Sequence, residues 1–383
     1  MWNYLLFGAL LLLSACSSAP PAPPLSGFQD QLFQKTGKIA SPQEVMRVSN
    51  DMRRFIEDKV RHAKKSDIRY ALYDAIRFNE LKLEYDAEKT KTAAETFNSK
   101  SGNCLSLVLM TAALANELGV TVHFQNVLSD ESWSRIGTLQ FAAGHVNILL
   151  GHKVNSYSAS YRDAQNPGND MIVDFLPSED AVKLHTEEIS EKRILAMYYN
   201  NRAVELMAEK KNDEAYWHIK AAIELDPGFL PARNTLGVIY RQHGDLEAAQ
   251  LAFEQLLQSS PDNTITLSNL RDTLNAEGKH DDALRIQTRL TRLQPYPPFY
   301  FLTKAQNAIQ TGDLQNARKW LNEELERVPY NDEIHFWMAV AYFKSGDYVS
   351  ARREMELARE YSTRQSSQQL YSQKLRLLNE HQD

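Results

Sequence analysis

Residues 230–263 read LPARNTLGVIYRQHGDLEAAQLAFEQLLQSSPDN, and the same pattern returns every 34 positions through the second half of the chain. Pro227, Pro261, Pro295 and Pro329 keep that step. So do Gly244, Gly278, Gly312 and Gly346, and the series Ala215, Ala249, Ala283, Ala317 and Ala351. A fixed period of this size means one supersecondary unit stacked against copies of itself. Each unit reads as two antiparallel helices. The alanine marks the crossing of the pair, where only a small side chain fits. The glycine ends the first helix in left-handed backbone, and the proline ends the second and turns the chain.

These positions resemble the tetratricopeptide repeat. The second unit carries the resemblance most fully, in Leu236-Gly237, Tyr240, Gly244-Asp245, Ala249, Phe253 and Pro261. Five units are expected over 196–365, at 196–229, 230–263, 264–297, 298–331 and 332–365, with 366–383 as a capping helix. Arg271 and Lys304 replace small or apolar residues in the first helices of the third and fourth units. The resemblance implies an all-α solenoid whose concave groove holds a protein or peptide partner, and it singles out no groove residue.

Working outward, the other half is of a different kind. The chain has 383 residues, too long for one ordinary core, and its net charge of −6 excludes the basic face a nucleic-acid protein needs. At the N-terminus, Leu5 to Ala15 is almost wholly apolar, about half the length of the roughly 20 residues that span a bilayer. It reads as a signal h-region, although no Lys or Arg precedes it. Leu13-Ser14-Ala15-Cys16 is similar to the lipobox of bacterial lipoproteins. That resemblance implies cleavage before Cys16, a diacylglyceryl thioether on its sulfur and, with Ser17 next, a lipid-anchored protein on the periplasmic side of the outer membrane. Residues 17–38 are expected to be a flexible tether, Pro/Ser-rich at its start.

Residues 39–190 show a mixed pattern. Ser41-Pro42-Gln43-Glu44 starts a helix expected to reach about Arg61, and a second helix is expected from about Ser66 to Asn79. Apolar residues recur at helical spacing from Cys104 to Leu118, and Gly119 stops that helix. Strand-like runs follow at Thr121–Val127, Thr138–Leu150, Lys153–Ser160 and Met171–Leu176. Helices first and an antiparallel sheet after them make an α+β domain.

Cys16 and Cys104 are the two cysteines, so after lipidation Cys104 stands as a single thiol without an intramolecular disulfide partner. It opens a helix in Lys100-Ser101-Gly102-Asn103-Cys104-Leu105-Ser106. There the partial positive charge of the helix start favours thiolate, and backbone N–H groups lie near for an oxyanion. A thiol nucleophile needs a base, and the base an orienting acid. Gly144-His145-Val146-Asn147-Ile148 and Ile172-Val173-Asp174-Phe175 offer His145 and Asp174. An acid mid-strand between Val and Phe is costly to bury without a partner. His123 and His152 compete with His145, and Asp163 and Asp170 compete with Asp174. No metal set, phosphate loop or dinucleotide fingerprint is visible, so no cofactor is expected.

Gly-x-Cys opening a helix that ends in Leu-Gly, with His and Asp on later strands, resembles the transglutaminase-like cysteine-enzyme superfamily. The stretch from Thr96 to Ser106, followed by Ala112 to Val120, is similar to bacterial lipoproteins that join such a domain to tetratricopeptide repeats. The resemblance spans about 70–365 and implies Cys104 as nucleophile, His145 as general base and acid, and Asp174 as its orienter, with the second oxyanion donor unassigned. It implies a thiol hydrolase, a protease or amidase, on a substrate docked by the repeats. The alternative is a non-catalytic envelope scaffold that uses the repeats for protein–protein interaction.

Overall fold

The computed structural model describes residues 28–380, except 64, 66, 80, 137–138, 152–169 and 176–184. Cys16 and the leader, the expected strand 153–160, and the rivals His152 and Asp163 all lie outside the described residues.

The expected helix from Ser41 to Arg61 is two helices, α1 (Pro42–Val45) and α2 (Asn50–Phe55), the second widening into π-type turns over Ile56–Arg61. The cause is local. Ser41 caps the first through a reciprocal box with Glu44, and Ser49 supplies a second cap to the amide of Met52, so the chain starts twice. Then come α3 (Ile68–Asp74), the short strand β1 (Glu84–Tyr85), α4 (Ala93–Ser99), strand β2 (Ser101–Gly102) and α5 (Cys104–Glu117). β1 and β2 pair in parallel, with Tyr85 beside Gly102. Every residue of α5 from Leu105 to Ala115 is buried, so this helix is the centre of the core rather than an amphipathic cover.

Four antiparallel strands follow: β3 (Val122–Ile136), β4 (Leu139–Leu150), β5 (Met171–Val173) and β6 (His185–Ile189), in the order β5-β4-β3-β6. β6 had no expectation; its polar sequence HTEEI carries no apolar alternation. β5 stops at Val173, so Asp174 follows the strand rather than lying within it.

Five helix pairs complete the chain: α6 (Glu191–Ala208) with α7 (Asn212–Leu225), α8 (Leu230–His243) with α9 (Leu246–Ser259), α10 (Thr264–Ala276) with α11 (His280–Leu293), α12 (Tyr300–Thr311) with α13 (Leu314–Arg327), and α14 (Asp332–Lys344) with α15 (Tyr348–Tyr361). A cap, α16 (Gln365–Glu380), buries Tyr371, Leu375 and Leu378 against the last pair. The five periodic alanines are at most 2% exposed, as a helix crossing demands. The four periodic glycines all have positive φ, and Lys210 (φ 61) takes the equivalent place in the first unit.

Two features differ from expectation. The first repeat begins at Glu191 and shares one continuous core with the α+β domain, reaching Ala283 in the third unit. Residues 28–38, expected to belong to a flexible tether, are instead strapped onto the first two repeats. Phe33 stacks on Tyr216 at 4.0 Å, the Tyr216 hydroxyl donates to Asp30 at 2.7 Å, and the Gln29 amide donates to the Tyr240 hydroxyl at 3.2 Å. Phe28 and Phe33 are the reason: a buried aromatic contributes more than a disordered linker can.

Candidate functional site

Cys104 is the first residue of α5 and is half-buried. Its position is fixed from both sides. Asn103 caps the helix, its Oδ1 accepting from the Ser106 amide at 2.9 Å while its Nδ2 donates to Thr90 Oγ1 at 2.9 Å. The Lys91 amide donates to Ser106 Oγ at 2.8 Å, tying the preceding loop to the same turn. Gly102 has no room for a side chain: a Cβ would lie 2.8 Å from Ser106 Cβ and 3.2 Å from Thr96 Cγ2.

His145 lies on β4 where β3 bulges. Val127 pairs with His145, and the next pair is Ser132 with Ala143. Bulges of this kind re-aim side chains beside functional sites. The β4–β5 register, with Ile148 opposite Val173, continues to bring Asp174 alongside Asn147, and Asn147 shares a strand face with His145. The contacts follow that geometry. His145 Nε2 lies 2.9 Å from both carboxylate oxygens of Asp174, and Asn147 Nδ2 donates to Asp174 Oδ2 at 3.3 Å. The imidazole and carboxylate side chains are only 10% and 9% exposed.

The other ring nitrogen, Nδ1, is buried and closes no regular hydrogen bond, yet the Cys104 side chain is near enough to act on the ring. Loose nucleophile–base contacts of this kind are usual before substrate binds. Burial opposes protonation of His145. The hydrogen bonds to Asp174 and Cys104 and the negative charge of both outweigh it, and the ring is pushed up to about 9. The balance favours the protonated ring, held by a carboxylate on one side and facing sulfur on the other.

Sequence reading missed Tyr85. The β1–β2 pairing sets it beside Gly102, and its hydroxyl is buried against Cys104. Burial raises its ionisation far above the ordinary phenol range, as do the neighbouring Cys104 and Asp174. The signal available was its place in an extended run just upstream of the thiol, too short to stand out.

The competitors lie elsewhere. His123 on β3 is 42% exposed and pairs with Glu188 of β6 at 2.8 Å. Asp170 is exposed and sits by Gly151 and Arg69. Among the described residues no group of His, Cys, Asp and Glu is placed to hold a metal, and no helix is long and apolar enough to cross a membrane.

Family models of the tetratricopeptide repeat match residues 206–263 and 302–364. The C-terminal array is a tetratricopeptide-repeat solenoid. A chloroplastic tetratricopeptide repeat domain-containing protein of Arabidopsis thaliana, PYG7, is 35% identical over 71 residues, which is 18% of this chain and 24% of that relative. Among solved structures, the array is similar to Pseudomonas aeruginosa pilF (18% identity, 51% of this chain and 88% of that one, TM-score 0.30). It is also similar to YrrB, described as a tetratricopeptide protein with an unusual peptide-binding site (20%, 47% and 92%, TM-score 0.25). Both superpositions are too loose to bear on function.

Proposed function

We propose that this chain is an envelope interaction protein whose tetratricopeptide array docks a protein or peptide partner. The observation supporting it is the array: five helix pairs and a cap, built to the 34-residue period and sharing a core with the domain before it. The leader supports a lipid anchor on Cys16 and a periplasmic position at the outer membrane. The test is site-specific photocrosslinking in envelopes from Lys304, exposed on the first helix of the fourth pair, and from Leu284, 65% exposed on the second helix of the third. A defined partner captured at 304 and not at 284 is expected. Equal capture at both, or at neither, would refute groove docking.

A second reading concerns 39–190 and is favoured by the convergence of Cys104, His145 and Asp174. On this reading the domain is a transglutaminase-like thiol hydrolase acting on the docked protein. Cys104 sulfur adds to an amide carbonyl, and the oxyanion takes the backbone N–H of Cys104 at the start of α5. His145, oriented by Asp174, gives its proton to the leaving amine, and then draws one from water as the thioester is hydrolysed. A p-nitrophenyl ester should acylate Cys104 and then turn over. Acylation at other sites only would refute this reading.

A further inference from the structure

Residues 28–34 run across the first two repeats, and their hydrogen bonds, ion pair and ring contacts go to α7 and α8. Phe33 is the only buried side chain of the segment 28–38, and its ring centre lies 4.0 Å from that of Tyr216, 4.7 Å from His243 and 5.9 Å from Tyr240. Asp30 pairs with Lys220 and accepts from the Tyr216 hydroxyl, and the same ammonium stands 5.1 Å from the centre of the Phe28 ring. The array also holds the main chain of the strap. The Gln34 amide donates to Asp213 Oδ1 at 3.0 Å, the Trp217 indole N–H donates to the Gln34 carbonyl at 3.0 Å, and the Gln29 amide donates to the Tyr240 hydroxyl. Asp213, Trp217 and Lys220 fall at i, i+4 and i+7, so one face of α7 reads both backbone and acid.

The 34-residue period does not call for these residues. One unit on, Tyr216, Trp217 and Lys220 become Gln250, Leu251 and Glu254, and Tyr240 becomes Leu274. Two units on, the first three become Leu284, Arg285 and Thr288. Leu251 is 47% exposed and Leu284 65%, so these positions face solvent where no strap lies on them, whereas Tyr216 is wholly covered. One aromatic anchor in a pocket, a charged pair at its rim and captured main-chain groups are the means by which a peptide is docked. We propose that the face of α7, with the C-terminal end of α8, is a peptide-docking site that the chain's own residues 28–34 fill. Its partner is a peptide with an acidic residue two positions after one aromatic and three before another, matching Phe28, Asp30 and Phe33, and it binds in exchange for the strap. The site goes beyond groove docking, since it lies in the first two units and needs neither Lys304 nor the thiol.

The test uses the full chain and, as probe, a fluorescein-labelled peptide of residues 28–38. Phe33→Ala, and independently Gln34→Pro, which removes the N–H that Asp213 accepts, loosen the strap from its own side and leave every array residue in place. Protease cutting within 28–38 reports the release. Each released chain should bind the peptide saturably, and the parent about tenfold or more weakly, because its site is filled. A peptide keeping only the two phenylalanines and the aspartate at their spacing, with alanine elsewhere, should also bind, and one with lysine for the aspartate should not. Adding Lys220→Glu to the Phe33→Ala chain should reverse that preference. A released chain that binds no peptide, or binds a scrambled one as tightly, overturns the site. So does a parent that binds as well as the released chains, a charge preference that Lys220→Glu leaves unchanged, or a strap that neither substitution loosens, since a fixed strap cannot be exchanged. Capture from Lys304 is a separate readout, so failure here leaves groove docking standing.

Discussion

Replacing Asp174 by Asn removes the charge beside His145 while keeping the shape of the side chain. The structure sets the size of the effect. Both carboxylate oxygens lie 2.9 Å from Nε2 in a site about nine-tenths buried, and the ring stands at about 9 against 6.5 for free imidazole. That elevation amounts to about 3 kcal/mol favouring the protonated ring. A hydrogen bond to a charged partner contributes about 1.5–3 kcal/mol, so Asp174→Asn should lower the His145 pKa by about one to two pH units. The sign for stability follows. A pKa raised on folding stabilises the protein fully below about pH 6.5, and the contribution is lost as pH rises through about 9. The assay is imidazole titration by NMR, paired with urea unfolding at pH 6.5 and pH 9.5. The urea gap between parent and variant should narrow markedly at the higher pH. A parent ring that titrates near 6.5, or a variant that titrates where the parent does, would refute the reasoning.

Three further outcomes test the scaffold. Gly237→Ala would put a Cβ 2.5 Å from Phe253 Cε1, so it should cost about 1–3 kcal/mol of stability in chemical denaturation and leave Cys104 chemistry unchanged. Gly102→Ala meets Ser106 and Thr96 at the start of the thiol helix and should lower both the thermal midpoint and the rate of Cys104 acylation. Phe33→Ala removes a ring that is 5% exposed against Tyr216 and should cost about 3 kcal/mol, with protease cutting appearing first in residues 28–40.

The repeats were legible because each of their rules is local: a crossing alanine, a left-handed glycine and a closing proline recur in one sequence at one step. Cys104, His145 and Asp174 could be named for a similar reason, since the turn Gly102-Asn103 and two short strands announce them, but their meeting depends on strand register. The bulge of β3 opposite His145 and the end of β5 before Asp174 decide that register, and neither has a sequence signal. Tyr85 escaped because a two-residue strand has no periodicity to detect. The strap at 28–38 and the hydrogen bond from the Ser366 amide of α16 to Glu88 escaped because they join residues far apart in the chain, where no local pattern reaches.

The central claim of the thiol reading is that His145 governs Cys104. Its most direct test is the rate of iodoacetamide alkylation at pH 7 in the full chain and in His145→Ala. The account predicts a parent thiol that alkylates faster than free cysteine and slows by about 10²-fold or more without the imidazole. A thiol no faster than free cysteine, and indifferent to the loss of His145, would contradict it and leave the array as the working part of the molecule.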